Sequence, residues 1–175
     1  LTSVRKNMGE KIENKVVLEL KELGIKNTTF KVQISPKAEE FSRERVNSTG
    51  FDDVKFLFSA NLGQAVKSLS KTISGGEMSR FMLAVKNVLR NDEGMLVFDE
   101  VDAGISGQIA ISVAQKLAKI ALHNQILVIS HLPQVSSMGD HFFKVTKNVV
   151  ENQTISTVSK LEGDEIVKVI AGMGF

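Results

Sequence analysis

Three short stretches of this 175-residue chain carry residue types at spacings that can do chemistry. The first is Ser74-Gly75-Gly76-Glu77. Two adjacent glycines let a ligand approach the backbone closely, because no Cβ intervenes. A helix that starts there aims its first N–H groups and the positive end of its dipole at that ligand. Ser74 adds a hydroxyl, and the arrangement suits a terminal phosphate. The tetrapeptide also reads as an ordinary helix start, with Ser74 as N-cap and Glu77 closing a capping box. The second stretch is Leu96-Val97-Phe98-Asp99-Glu100. A buried strand that ends in two acids delivers them to the C-terminal edge of a sheet, where open α/β sheets bind ligands. Adjacent strand residues point opposite ways, so Asp99 can support Mg²⁺ through a water while Glu100 faces a nucleophilic water. Taken alone, such acids are more often helix caps or solvated groups; their position after the glycine-rich turn favours chemistry. The third is His131, directly after the expected strand Gln125-Ile126-Leu127-Val128-Ile129-Ser130. It lands on the same expected edge, where an imidazole can contact a phosphate or orient water.

Asp102-Ala103-Gly104-Ile105-Ser106-Gly107 reads as a tight turn into a helix, with Ser106 as a cap and Asp102 able to touch a partner across a subunit boundary. His123 and His141 have no such address and read as structural. No His/Glu pair stands at helical metal-ligand spacing, so no protein-built zinc site is indicated. A phosphate-binding P-loop, G-x-x-x-x-G-K-[ST], is missing. Lys67-Ser68 is the only Lys-Ser pair that could mimic its end, but Asn61 and Val66 occupy the positions of its glycines. Without that loop there is no cradle for the α- and β-phosphates.

The elements that position these residues follow from periodicity. Leu1, Val4, Met8, Ile12, Val16, Leu20 and Leu23 recur every three or four residues, which predicts a helix over 1–23 ended by Gly24. It would be about 35 Å long and reads equally as a packed amphipathic helix or as the returning strand of a coiled-coil arm. Phe30/Val32/Ile34 and Val54/Phe56/Phe58 alternate as half-buried strands, with a charged loop over 36–53 between them. From residue 70 helices alternate with unbroken apolar strands. Helices are expected over 76–90 and 106–122 and strands over 95–99 and 125–130, a pattern that implies a parallel sheet covered on both faces. A hairpin over about 142–147 and 153–159 and a last helix from Gly163 or Asp164 complete the chain.

Bulk composition restricts the class. Hydrophobic residues make up 42% and charged residues 24%, ordinary values for a globular chain. A net charge of +2 does not by itself argue for nucleic acid. Zero cysteines exclude disulfides and thiolate metal sites. No apolar run reaches the length of a membrane span, and the first residues lack a signal-peptide pattern. The start without Met and the abrupt end at Gly172-Met173-Gly174-Phe175 lead us to expect a piece of a longer protein.

The order of motifs (glycine-rich helix start, acid-ended strand, Asp turn, His after the next strand) resembles the C-terminal half of an ABC-type ATPase head, and Glu77 resembles the structural-maintenance-of-chromosomes (SMC) branch. The runs from Leu69 to Arg80, Val97 to Gly107 and Val128 to Val135 are similar to the bacterial RecN family of DNA double-strand-break repair ATPases. The resemblance implies an α/β fold: the C-terminal lobe of an ABC/SMC-type P-loop ATPase head, a largely parallel sheet flanked by helices, with a coiled-coil helix and antiparallel β segments. It implies that residues 1–24 end a coiled-coil arm and 25–175 form the half of the head that lacks the P-loop. It implies ATP and Mg²⁺ as ligands. Ser74, Gly75, Gly76 and Glu77 would close over ATP on another head, Asp99 would support Mg²⁺, Glu100 would activate water, Asp102 would be the D-loop acid and His131 the switch histidine. The implied partners are the N-terminal half of its own head, a second head in a homodimer, and DNA, with no membrane. The implied location is the bacterial cytoplasm, on the nucleoid. Two other readings stay open: a non-catalytic DNA-binding module using Lys6, Lys11, Lys15 and Lys21, and a transporter ATPase subunit. The opening helix and Glu77 weigh against the second.

Overall fold

Phe30, Phe58 and Phe81 explain how the first half of the chain closes on the second. A computed structural model describes residues 1–37, 43–46, 48–59, 63, 65–68, 75–89, 94–150 and 153–173. Strand β1 (Thr29–Pro36) pairs antiparallel with β2 (Asp52–Ser59), Phe30 opposite Phe58, and β3 (Lys67–Ser68) adds to the far side of β2. Alternation puts Phe30 and Phe58 on one face. Both meet Phe81 of α2 (Gly75–Leu89) edge-on, with ring centroids 5.3 and 5.8 Å apart, the geometry aromatic quadrupoles prefer. Lys67-Ser68 is therefore part of an exposed strand, as its failed P-loop match requires.

Helix α1 (Thr2–Glu22) lies along this sheet and ends, as expected, at Gly24 with φ +86°. Val16, Leu20 and Leu23 are fully buried, whereas Leu1, Val4 and Met8 of the same stripe are exposed. The first half of the helix instead uses Gly9 for close approach to Val32, and polar ties. Thr2 Oγ1 and Arg5 Nη1 each donate to Asp52 at 2.8 Å, and the backbone N–H of Val32 donates to Glu13 at 2.8 Å. Of the loop expected over 36–53, Arg43–Arg45 is a short 3₁₀ turn and Asp52 is buried at the start of β2.

The second half is the expected α/β alternation. Strand β4 (Met95–Phe98) pairs in parallel with β5 (Gln125–Val128), joined through α3 (Gly107–Ala121). Leu96, Phe98, Ile126 and Val128 face the core. Met95, Val97 and Leu127 face outward and are exposed. The sheet is thus covered on one face, not two, among the described residues. The unbroken apolar runs are explained all the same, since each strand presents apolar side chains to both sides. Parallel pairing is confined to this pair among the described residues. The short α4 (Pro133–Ser136) follows, then a long antiparallel hairpin of β6 (Phe142–Val150) and β7 (Gln153–Leu161). Helix α5 (Asp164–Gly172) is amphipathic in sequence but buries no residue.

Helix α2 packs Met78, Phe81, Val85 and Val88 on the core, but its buried side is shifted from the centre of its apolar stripe. Met82 and Leu89 are exposed, while Arg80 and Asn87 are buried beside Phe81, Leu83 and Ala84. Asn87 donates to Glu19 of α1 at 2.6 Å, and Glu19 also accepts from Lys116 of α3. Lys116 reaches Glu22 at 2.8 Å. Burial works to lower the Lys116 pKa, but the two carboxylates outweigh it and hold the ammonium above its ordinary value. Helices α1, α2 and α3 meet at this charged node. No described helix is long and apolar enough to cross a membrane.

Candidate functional site

The parallel pairing of β4 and β5 places Asp99-Glu100 and His131 at one edge. Phe98 lies opposite Val128, and the Ile129 N–H donates to the Phe98 carbonyl at 2.9 Å. The two strands therefore end together, and both exits carry the chemistry-bearing residues that the sequence marks. Asp99 and Glu100 are exposed, and so is the His131 side chain.

The start of α2 packs on the same edge. A Cβ at position 75 would collide with Oε2 of Glu100. A Cβ at position 76 would lie 2.8 Å from the Ala103 Cβ, 3.1 Å from the Ala103 carbonyl and 3.2 Å from the Glu100 carbonyl. Gly76 is thus required by close packing against the turn after β4, with no need for an unusual φ, whereas at Gly75 the neighbour is the end of the flexible Glu100 side chain. The Glu100 carboxylate rests at the positive end of the α2 dipole, where an anion is favoured. Glu100 itself has φ +56°, the one non-glycine in the left-handed region among the described residues. Such a conformation costs on the order of 1 to 3 kcal/mol and clusters at functional sites. Ser79 Oγ donates to the Asp99 carbonyl at 2.5 Å, a second tie between α2 and the acid turn. Ser74 lies outside the described residues. Glu77 is on the first turn of α2.

Asp102 is engaged within its own chain. It is 1% exposed, and its Oδ2 accepts from Ser130 Oγ at 2.5 Å, from the His131 N–H at 3.0 Å and from the Leu132 N–H at 3.3 Å. His131 Nδ1 lies 3.4 Å from the same oxygen. A buried carboxylate needs such donors, and its own chain supplies them. Ser106 holds the N-cap position of α3 without a side-chain cap bond. Arg80 and Ser130 belong to the site too, and sequence reasoning missed both. Their signal was a polar residue inside an apolar helix face and a hydroxyl next to His131.

The arrangement can be tested for its fit to Mg²⁺ and a nucleotide. No group of three or more Asp, Glu or His capable of holding a metal occurs among the described residues. Asp99 is a single exposed oxygen donor, which fits a Mg²⁺ shared with phosphate oxygens and water but not an all-protein cage.

No family model matches the chain. It is 38% identical over 175 residues to the DNA repair protein RecN of Halalkalibacterium halodurans, covering 99% of this chain and 31% of that protein. It is 40% identical over 173 residues to the RecN of Deinococcus radiodurans, again over 99% of this chain and 30% of the relative. The chain is RecN-like. It spans about a third of the length of the curated RecN proteins it matches. Among solved structures, the RecN-like chain superposes on one from work on ATP-driven dimerization and DNA-stimulated activation of SMC ATPases. The TM-score is 0.56 at 16% identity, over 100% of this chain and 98% of that one. It also superposes on the Smc head domain with coiled coil and joint of Pyrococcus yayanosii, with a TM-score of 0.57 at 18% identity over 95% of this chain and 29% of that one. The fold is that of SMC head domains.

Proposed function

We propose that this RecN-like chain is the C-terminal half of an ATPase head, and that the full protein hydrolyses ATP in DNA double-strand-break repair. In this reading residues 1–24 end a coiled-coil arm and 25–175 complete a head whose P-loop lies in its N-terminal half. ATP would bind between two heads of a homodimer, with Ser74, Gly75, Gly76 and Glu77 closing on the phosphates from the opposite side. Asp99 would hold Mg²⁺, which neutralises phosphate charge when bound. Glu100 would leave Gly75 and turn to the attacking water as general base, with His131 beside it to hold that water or the phosphate. Asp102 would serve the site from within its own chain. Catalysis is then mainly positioning and charge stabilisation. DNA would be the substrate remodelled when hydrolysis releases the heads, in the bacterial cytoplasm on the nucleoid.

The observation that carries the reading is the convergence of Glu100, His131 and the Gly75-Gly76 turn on one edge of the β4–β5 pair. It is tested with Glu100→Gln in the full-length protein. ATP should then trap engaged heads, read as a stable shift to the dimer on size-exclusion chromatography. A variant that releases its heads at the wild-type rate would remove Glu100 from the general-base role. The 175-residue chain by itself should show no Mg²⁺-dependent turnover, because it supplies no cradle for the α- and β-phosphates.

A further inference from the structure

We propose that Arg80 is a positioning residue that sets His131 through Asp102, so that the start of α2 and the turn after β5 hold one another in place. Arg80 stands one turn into α2, three residues after Glu77, and is 7% exposed. Its Nη1 donates to the Ala103 carbonyl at 2.7 Å and reaches the Val101 carbonyl at 3.5 Å. These carbonyls flank Asp102. The guanidinium therefore brackets the one residue whose carboxylate holds Ser130, His131 and Leu132. Burial pushes the guanidinium pKa below its ordinary range, and the charges of Glu77 and Asp102 pull it back. Its Nε is buried with no hydrogen-bond partner among the described residues. A cation held at that cost, with one donor unsatisfied, is poorly explained as filler in the buried face of α2.

The geometry gives each link a single setting. One nitrogen, Nη1, touches the backbone on both sides of Asp102, firmly at the Ala103 carbonyl and at the limit of hydrogen bonding at the Val101 carbonyl. Asp102 Oδ2 then fixes two successive N–H groups after β5 and lies beside His131 Nδ1. The imidazole is left with Nδ1 turned to Asp102 and Nε2 available at the exposed edge. Arg80 shares no hydrogen bond with residues 130–132, so any effect it has on them passes through the turn at 101–103.

The functional consequence rests on the ATPase reading above, but the link itself does not. The test uses the full-length protein with Arg80→Met and Arg80→Lys, read by amide hydrogen exchange and by ATP turnover. Arg80→Met should speed exchange at the His131 and Leu132 amides by about tenfold. The Ile129 amide, bonded to Phe98, should keep its rate. kcat should fall by about a hundredfold, with KM for ATP within about twofold, because positioning is lost and not binding. Arg80→Lys should give intermediate exchange at 131–132. Faster exchange confined to 101–104 with wild-type rates at 131–132 would overturn the proposal. If Arg80→Met loses protection throughout β5, Arg80→Lys decides: faster exchange at 131–132 with the Ile129 amide still protected upholds the proposal, and equal losses at 129 and 131–132 overturn it. Faster exchange at 131–132 with unchanged turnover upholds the link and removes His131 from the ATP site.

Discussion

Gly76→Ala sets two effects of similar size against each other. A glycine inside a helix costs up to about 1 kcal/mol relative to alanine, and Gly76 does not have a positive φ. Propensity alone thus favours the substitution. Packing opposes it. The new methyl would lie 2.8 Å from the Ala103 Cβ, against a normal carbon–carbon separation of about 3.5 to 4.0 Å. It would also stand 3.1 and 3.2 Å from the carbonyl oxygens of Ala103 and Glu100. That turn has little room to retreat: Ala103 N–H bonds the Glu100 carbonyl at 3.1 Å, Arg80 holds the Ala103 carbonyl, and Asp102 is tied to the turn after β5. Overpacking of this kind costs roughly 1 to 3 kcal/mol. The net expectation is a loss of about 1 to 2 kcal/mol in urea unfolding. Adding Ala103→Gly removes the methyl–methyl collision, so the double variant should recover part of the loss, with a coupling of about 1 kcal/mol. As a control, Gly172→Ala in α5 adds a Cβ into open space and should be neutral or slightly stabilising. A Gly76→Ala protein more stable than wild type would refute the reasoning, since α2 would then not be wedged against the acid turn.

Three further outcomes follow from particular contacts. Glu100→Ala and Glu100→Gly both remove the carboxylate, but only glycine accepts φ +56° freely, so the glycine variant should be the more stable by about 1 kcal/mol in the same unfolding assay. Lys116→Met leaves Glu19 with Asn87 alone and should cost about 2 kcal/mol. This is less than breaking a fully buried pair, because the Glu22 side chain is 65% exposed. Asp52 has its pKa lowered, first by the Thr2 hydroxyl and then by Arg5, against the opposing effect of burial. Its contribution is present above the ordinary Asp value of about 3.9 and is lost as pH falls through the lowered one. Thr2→Val with Arg5→Met should flatten that acid limb of the stability–pH curve; an unchanged limb would show that Asp52 does not tie α1 to β2.

The parts of the fold legible in the sequence are those where one period dominates. The unbroken apolar runs at 95–98 and 125–128, separated by the Val113/Leu117/Ile120 stripe, leave little besides a β-α-β unit, and the two strand ends then share an edge. Gly24 was legible because a left-handed residue was needed, and Ile109 packs against it. Less legible were positions where a polar side chain is buried to satisfy another element. Arg80 and Asn87 interrupt the apolar stripe of α2, yet they face inward because Ala103 and Glu19 need donors there. Asp102 looked like a residue free to reach outward, but the donors that claim it lie 28 to 30 positions away. The apolar stripe of α1 is continuous in the sequence, whereas Leu1, Val4 and Met8 stay exposed because Gly9, Glu13 and Arg5 make the contacts to the sheet.

The central claim is that the acid turn after β4 is the hydrolytic part of an ATP site. ATP turnover by the full-length protein carrying Glu100→Gln tests it most directly. A general base contributes about 10² to 10⁴ in rate, so turnover should fall by at least about a hundredfold while ATP still binds. Turnover within a factor of a few of wild type would contradict the account.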